Sequence, residues 1–376
     1  MKANQIITSA IIALTVLVGF TACKKENTVI APITQAQPIS SAMGGLFQQK
    51  QAPAQSFGLD ATQGGTIRGM RGTIVDFQPN SFINANGQVV SGAIQLTLRE
   101  VYDRTDMILS NRTTVADNGL LLSSGEVEIL AYQNGGRLSM APGASYALYI
   151  QSIGAAAQTM NLYYPTLSAS GENIWLDAGQ PTEPTLFGTD TIGIDPPVDT
   201  MCFYIIDSLY PNIGMVYDTV YYPCSNNGGG GWEPPTPTVY DTLYSFFPSQ
   251  LGWINADCLP YSNYLPVRVH LPTTHTYVEF TDTRVYMALS SVLAVGTVHQ
   301  SFTDANLFEI DGQYFGVPSA FIGQTAHIVA LHYANGRYYA ALIPVTITAA
   351  GIEVTVTDAQ LIELTPAQIQ ALLDGL

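Results

Sequence analysis

Apolar and polar residues alternate in short runs along most of this chain. In Ala93–Val101 (AIQLTLREV), Ile94, Leu96 and Leu98 stand two apart, the period at which a strand buries one face and wets the other. Runs of the same character cover Gly72–Phe77, Leu121–Tyr132, Tyr146–Ile150 and Asn161–Tyr164. They return at Val267–Leu271, Tyr277–Phe280, Arg284–Ala288, Ala326–Leu331, Arg337–Val345 and Ile352–Val356. Asn84-Ala85-Asn86-Gly87, Asn134-Gly135-Gly136 and Asn335-Gly336 punctuate them, residues that accept the positive φ of tight turns. Helical signals are few. Asp103–Ser110 suggests one turn, and the C-terminus offers Thr365 as N-cap, Pro366 at the first position and Gln368 to complete a capping box. The pattern predicts a mainly β fold, tandem β-sandwich domains with a short C-terminal helix.

The first residues follow a different rule. Lys2 is followed by a mostly apolar stretch, Ile6–Phe20, and then by Thr21-Ala22-Cys23. The stretch is shorter than the roughly 20 residues a spanning helix needs, and its flanks are those of a secretory signal. A small-residue site ending in cysteine resembles the lipobox of bacterial lipoproteins. That resemblance implies cleavage before Cys23 and acylation of its thiol and amino group, with palmitate among the expected chains and the membrane as first partner. Lys24 follows the cysteine, where an aspartate would imply inner-membrane retention, so the outer membrane is expected. Cys23-Lys24-Lys25-Glu26 resembles the short charged tags that route lipoproteins to the cell surface.

The expected organisation is a signal peptide over 1–22, a disordered tether over 23–56 rich in Gln, Ala, Pro and Ser, and a β domain over 57–187. A Tyr/Gly/Pro-rich hairpin linker over 188–262 and a C-terminal sandwich plus helix over 263–376 complete it. Trp253-Ile254-Asn255 reads as the lead into that last domain. The run from Gly72 to Leu138, with GTIVDFQPNSF, NANGQVVSGAIQLTLREVYDRTDMILS and LLLSSGEVEILAYQNGGRL, resembles a domain of surface lipoproteins in gliding and gut-dwelling Gram-negative bacteria. It is also distantly similar to the ZU5 domain, which implies a β-sandwich. Some ZU5 relatives cleave themselves at His-Phe-Ser. This sequence has no such tripeptide, so self-cleavage does not carry over.

Charge narrows the partners. The formal net charge is −16 and only 11% of residues are charged. No lysine follows Lys50, and no basic residue lies between Arg137 and Arg268. Nucleic acid and anionic lipid headgroups both require a basic footprint, so neither is an expected partner.

Three cysteines follow Cys23. Cys202 and Cys224 flank two strand-like runs, Phe203–Ile206 and Met215–Tyr222, and a hairpin between these makes them the favoured disulfide in an oxidising compartment. Cys258 is left over. Five Asp-(Ser/Thr)-aliphatic tripeptides lie between Asp190 and Leu243 and mark Thr191, Thr200, Ser208, Thr219 and Thr242. They resemble O-glycosylation acceptors of the same bacterial group; the other reading is a repeated strand sequence.

Signals for catalysis are weak. His270, His275, His299, His327 and His332 all fall in the last domain, with His327 and His332 on opposite faces of one strand. Glu126 and Glu128 share a strand face, which reads as a solvated one. Asp190, Asp195 and Asp199 lack the spacing of a calcium loop. HExxH, GxSxG and Walker motifs are missing. The expectation is therefore a non-enzymatic, lipid-anchored envelope protein that presents β domains for binding or adhesion to protein or glycan, without cofactor or metal. Two other readings stay open: a structural part of a periplasm-facing outer-membrane assembly, and a glycan-acting enzyme whose site is assembled from distant residues.

Overall fold

The computed structural model describes residues 40–152, 159–168, 173–182, 185–188, 201–210, 214–223, 240–260, 262–312 and 316–376, with side chains outside 185–242. These residues are mainly β, as the alternation predicts, and form tandem β-sandwiches with a short C-terminal helix.

The first sandwich pairs a nine-stranded sheet with a five-stranded one. The larger sheet runs in the order Ala54–Asp60, Ala93–Val101, Leu122–Gln133, Gly252–Cys258, Met160–Leu167, Asn173–Thr182, Val115–Ala116, Gly119–Leu120, with Gly136–Arg137 against Leu122–Gln133. The smaller runs Thr185–Gly188, Tyr240–Phe246, Tyr146–Gln151, Ile74–Phe77, Gly65–Arg68. Ile94, Leu96, Leu98, Val127 and Ile129 of one sheet meet Val75, Phe77, Leu148 and Phe246 of the other in a shared core.

This topology revises the expected boundaries. Gly252–Cys258 does not open the last domain; it sits between Leu122–Gln133 and Met160–Leu167 in the first. Tyr240–Phe246 likewise pairs with Tyr146–Gln151. The region read as a linker thus completes the first sandwich, around a hairpin of Met201–Tyr210 with Gly214–Pro223.

The second sandwich is one eight-stranded sheet folded over on itself. Its order is Ile352–Thr355, Val267–His270, Leu307–Ile310, Val295–Gln300, Thr283–Leu289, Thr325–Ala334, Arg337–Thr346, Ile362–Leu364. Val267, Val285, Val298, Phe308, Ile328, Ala341 and Ile352 enclose its core. Asn335 (φ 52°) and Gly336 (φ 81°) make the expected turn, with Tyr333 opposite Tyr338. Tyr277–Phe280, expected as a strand, is a loop, and Phe280 there takes φ 61°. Such a value is a strained one for a bulky side chain.

Three short helices fill the space where outward residues of both sandwiches meet. They are α1 (Ser41–Lys50), α2 (Arg104–Leu109) and α3 (Pro366–Leu373). Met43, Leu46, Phe47, Met107, Leu109, Ile369 and Leu373 pack with Val101 of the first sheet and Tyr286, Val329 and Leu331 of the other. The tether expectation therefore fails at its end: α1 lies within 23–56, capped by Ser40 Oγ on Met43 N at 3.2 Å. Its apolar residues recur at i, i+3 and i+4, a helical stripe inside a Gln/Ser/Gly background. In α3, Thr365 and Gln368 form the expected capping box.

Arg104 ties the two sandwiches. Its guanidinium donates to the carbonyls of Leu289, Ser290 and Val292. Arg104→Ala leaves those carbonyls without a charged donor, and a loss of about 2 kcal/mol in urea unfolding is expected. A change below a few tenths of a kcal/mol would show that the tie is idle.

Candidate functional site

Two neighbouring strands each bury a glutamate, with opposite fates. Glu100, 2% exposed, accepts from Gln55 Nε2 at 2.6 Å, Arg71 N at 3.0 Å and Thr73 N at 3.0 Å. That is a satisfied carboxylate holding the 69–73 turn. Glu126 is 0% exposed and neither carboxyl oxygen has a hydrogen-bond partner. The solvated-face reading of Glu126 is therefore wrong, while Glu128 keeps partial exposure and an ion pair with Arg99 at 3.3 Å.

The local cause is a bulge. Asp257 pairs with Ser123 but Ala256 with Gly125, so Ser124 is extra in its strand. Ser123 Oγ accepts from Gly125 N at 2.9 Å and donates to Asn255 Oδ1 at 2.9 Å, and Asn255 Nδ2 donates to Asp257 Oδ2 at 2.6 Å. Asn255 and Asp257 are both fully buried. The Arg112 guanidinium lies over the Trp253 ring at 4.5 Å. Burial pushes the Glu126 carboxyl up to about 8, against the pull of Arg112. Burial raises Asp257 as well, and Glu126 adds to it. Glu126 is therefore held as a neutral acid at neutral pH. Both groups are sealed from solvent, so they do not face a substrate across a cleft as a glycosidase pair must.

A second cluster lies in the last sandwich. His327 and His332 occupy opposite faces of Thr325–Ala334, as expected, with Ser290 Oγ beside His327 Nδ1 at 3.2 Å. His332 is 1% exposed and packs among Tyr277 (ring centroids 4.8 Å), His275 (5.4 Å, edge-on) and Tyr339 (6.0 Å). His275 in turn stands 4.8 Å from Tyr339. Thr283 Oγ1 has one proton and gives it to Asp282 Oδ1 at 2.6 Å. Towards His332 Nδ1, at 2.9 Å, it must then accept. So Nδ1 carries the ring proton, and Nε2 is a buried lone pair without a partner. Burial, and secondarily His275, lower the His332 pKa while Asp282 opposes, which keeps the ring neutral at pH 7. Sequence spacing separates His275 and His332 by a loop and four strands, so only the fold unites them.

A third feature is an open recess of about 500 Å³ on the first sandwich, lined by Gln95, Thr97, Tyr132, Gln133 and Asn134 and by no charged side chain. Hydroxyl, amide and aromatic groups of this kind suit a neutral polar ligand.

The remaining sequence candidates are placed in part. Cys23, Thr191, Thr200, Cys224, Asp190, Asp195 and Asp199 lie outside the described residues. Cys202 stands opposite Tyr222, Ser208 opposite Val216, Thr219 opposite Ile205 and Thr242 opposite Leu186. Cys258 is half-buried; burial, then Asp257, push its thiol up to about 12, which makes it a poor nucleophile. Among the described residues no group of three or more His, Cys, Asp and Glu is placed to hold a metal ion, and no helix is long and apolar enough to cross a membrane.

No family model, no curated protein and no solved structure matches this chain.

Proposed function

We propose that this chain is a lipid-anchored protein of the outer membrane that presents its β-sandwiches at the cell surface for binding or adhesion rather than catalysis. The observation that carries the reading is the N-terminal pattern of Lys2, apolar Ile6–Phe20 and Cys23. Two features support it. The body is built from β modules, and its open recess offers Tyr132 with amides and no charge, the lining of a site for a neutral glycan or an extended peptide. The likeness of Gly72–Leu138 to ZU5-like lipoprotein domains points the same way.

The test has two readouts. Cells fed labelled palmitate should label the wild type, and Cys23→Ser should lose both the label and membrane retention. Proteinase K on intact cells should then remove the body of the protein while a periplasmic control survives. Trypsin is a poor probe, because no lysine or arginine lies between Arg137 and Arg268. A palmitate label on Cys23→Ser would sink the anchor. Survival on intact cells, with digestion once the outer membrane is opened, would replace the surface reading by a periplasm-facing one.

A further inference from the structure

The histidine cluster of the second sandwich is larger than packing requires. Asp282, Thr283 and His332 form a hydrogen-bonded chain that fixes one tautomer and leaves Nε2 a bare lone pair on a ring packed against His275, Tyr277 and Tyr339. A buried acceptor without a donor is costly. The Tyr277 hydroxyl does not relieve it, because that proton goes to Pro272 O at 3.0 Å.

We propose that His332 Nε2 and the His275 imidazole are a ligand pair for a borderline divalent transition-metal ion of the Zn²⁺, Co²⁺, Ni²⁺ or Cu²⁺ class. Four observations converge. The lone pair is preset: a ligating histidine ordinarily donates its other N–H to an oxygen acceptor, and here the Thr283 hydroxyl, held by Asp282, is that acceptor. The second imidazole is adjacent and edge-on, with centroids 5.4 Å apart, a separation that admits one ion between two ring nitrogens at about 2.0–2.1 Å each. The surroundings favour a cation: Asp282 Oδ1 is 3.7 Å from His332 Nδ1, and Asp358 accepts from Thr274, next to His275. The Arg284 guanidinium, on the strand paired with that of His332, is engaged by Thr283 O and the Phe280 ring. Finally, His275 is half-exposed while His332 is sealed. The ion would enter from the His275 side and keep water on its remaining positions, since no third protein carboxylate, thiolate or imidazole among the described residues joins it. Two imidazoles select the borderline metals over Mg²⁺ and Ca²⁺, which require oxygen ligands.

The test uses the full chain purified in detergent and stripped with chelator. Co²⁺ is titrated by visible absorption and Ni²⁺ by calorimetry, with Zn²⁺ as competitor. One ion per chain is expected, displaced by Zn²⁺, with about tenfold or greater loss of affinity in His275→Ala. That residue is half-exposed, so the variant should keep the wild-type circular dichroism. His332→Gln should lose the site as well; if it does not fold, His275→Ala decides alone. Nitrogen-15 spectra give an independent reading, since His332 Nε2 should respond to Zn²⁺ while the Nδ1 proton stays in place. Absence of saturable uptake up to millimolar metal would overturn the proposal. So would uptake unchanged in His275→Ala, which would assign the ion to other histidines such as His270 or His299. A direct coupling from a His275 N–H to His332 Nε2 that persists in excess Zn²⁺ would also end it.

Discussion

The fold should lose stability as pH rises from about 5 to about 8, and Glu126→Gln should reduce that loss. The folded-state carboxyl of Glu126 titrates near 8 instead of 4.5. Below the lower value both folded and unfolded chains hold the proton, and the group contributes no difference. Between the two values the unfolded chain gives up its proton while the folded chain keeps it, so each pH unit costs the native state about 1.36 kcal/mol. Integrated over the shift, this is on the order of 5 kcal/mol, lost progressively between pH 4.5 and 8. The cause is desolvation of a carboxyl with no hydrogen-bond donor, which Arg112 only partly offsets. Gln is close in shape and does not ionise. At pH 5 the variant should match the wild type within about 1 kcal/mol, and at pH 8 it should be several kcal/mol more stable. Urea midpoints at four pH values decide it. A flat wild-type profile over this window, or a slope unchanged in Glu126→Gln, would show that Glu126 does not contribute. Asp257 is raised in the same direction, so Asp257→Asn is expected to remove what slope remains.

That acid shows where a sequence stops being legible. Alternation in Ala93–Val101 correctly placed Ile94, Leu96 and Leu98 in a core, because the rule depends only on neighbours two apart. Asn335-Gly336 and Thr365 with Gln368 were equally readable, since each is a local contract between backbone conformation and a few side chains. The same local logic put Glu126 and Glu128 on one strand face and was right about the face. It was wrong about water. That face is covered by Arg112, by Trp253 from a strand far along the chain, and by the helical layer of α1, α2 and α3. Strand Gly252–Cys258 failed for a related reason: its partners, Leu122–Gln133 and Met160–Leu167, are distant in sequence, and pairing at that range leaves no local mark. Helix α1 is different, because Met43, Leu46 and Phe47 do carry a helical period. Composition hid it, since the surrounding Gln, Ala and Gly read as tether. His275 and His332 meet only because a strained loop through Phe280 folds back over Thr325–Ala334.

Gly125→Ala should destabilise the protein by about 4 kcal/mol. Gly125 takes φ 132°, where side chains are strained, and an added Cβ would lie 2.0 Å from Tyr102 Cδ1. Tyr102 has no easy retreat. It is 6% exposed, belongs to the first core, and its hydroxyl is 2.6 Å from Thr73 Oγ1. Backbone strain of about 1–3 kcal/mol adds to an overpacking cost of similar size. Gly135→Ala is the control: its φ is 79° with nothing within 4 Å of the added carbon, so only the conformational cost of about 1 kcal/mol should appear. Equal losses at the two glycines would exclude the collision with Tyr102.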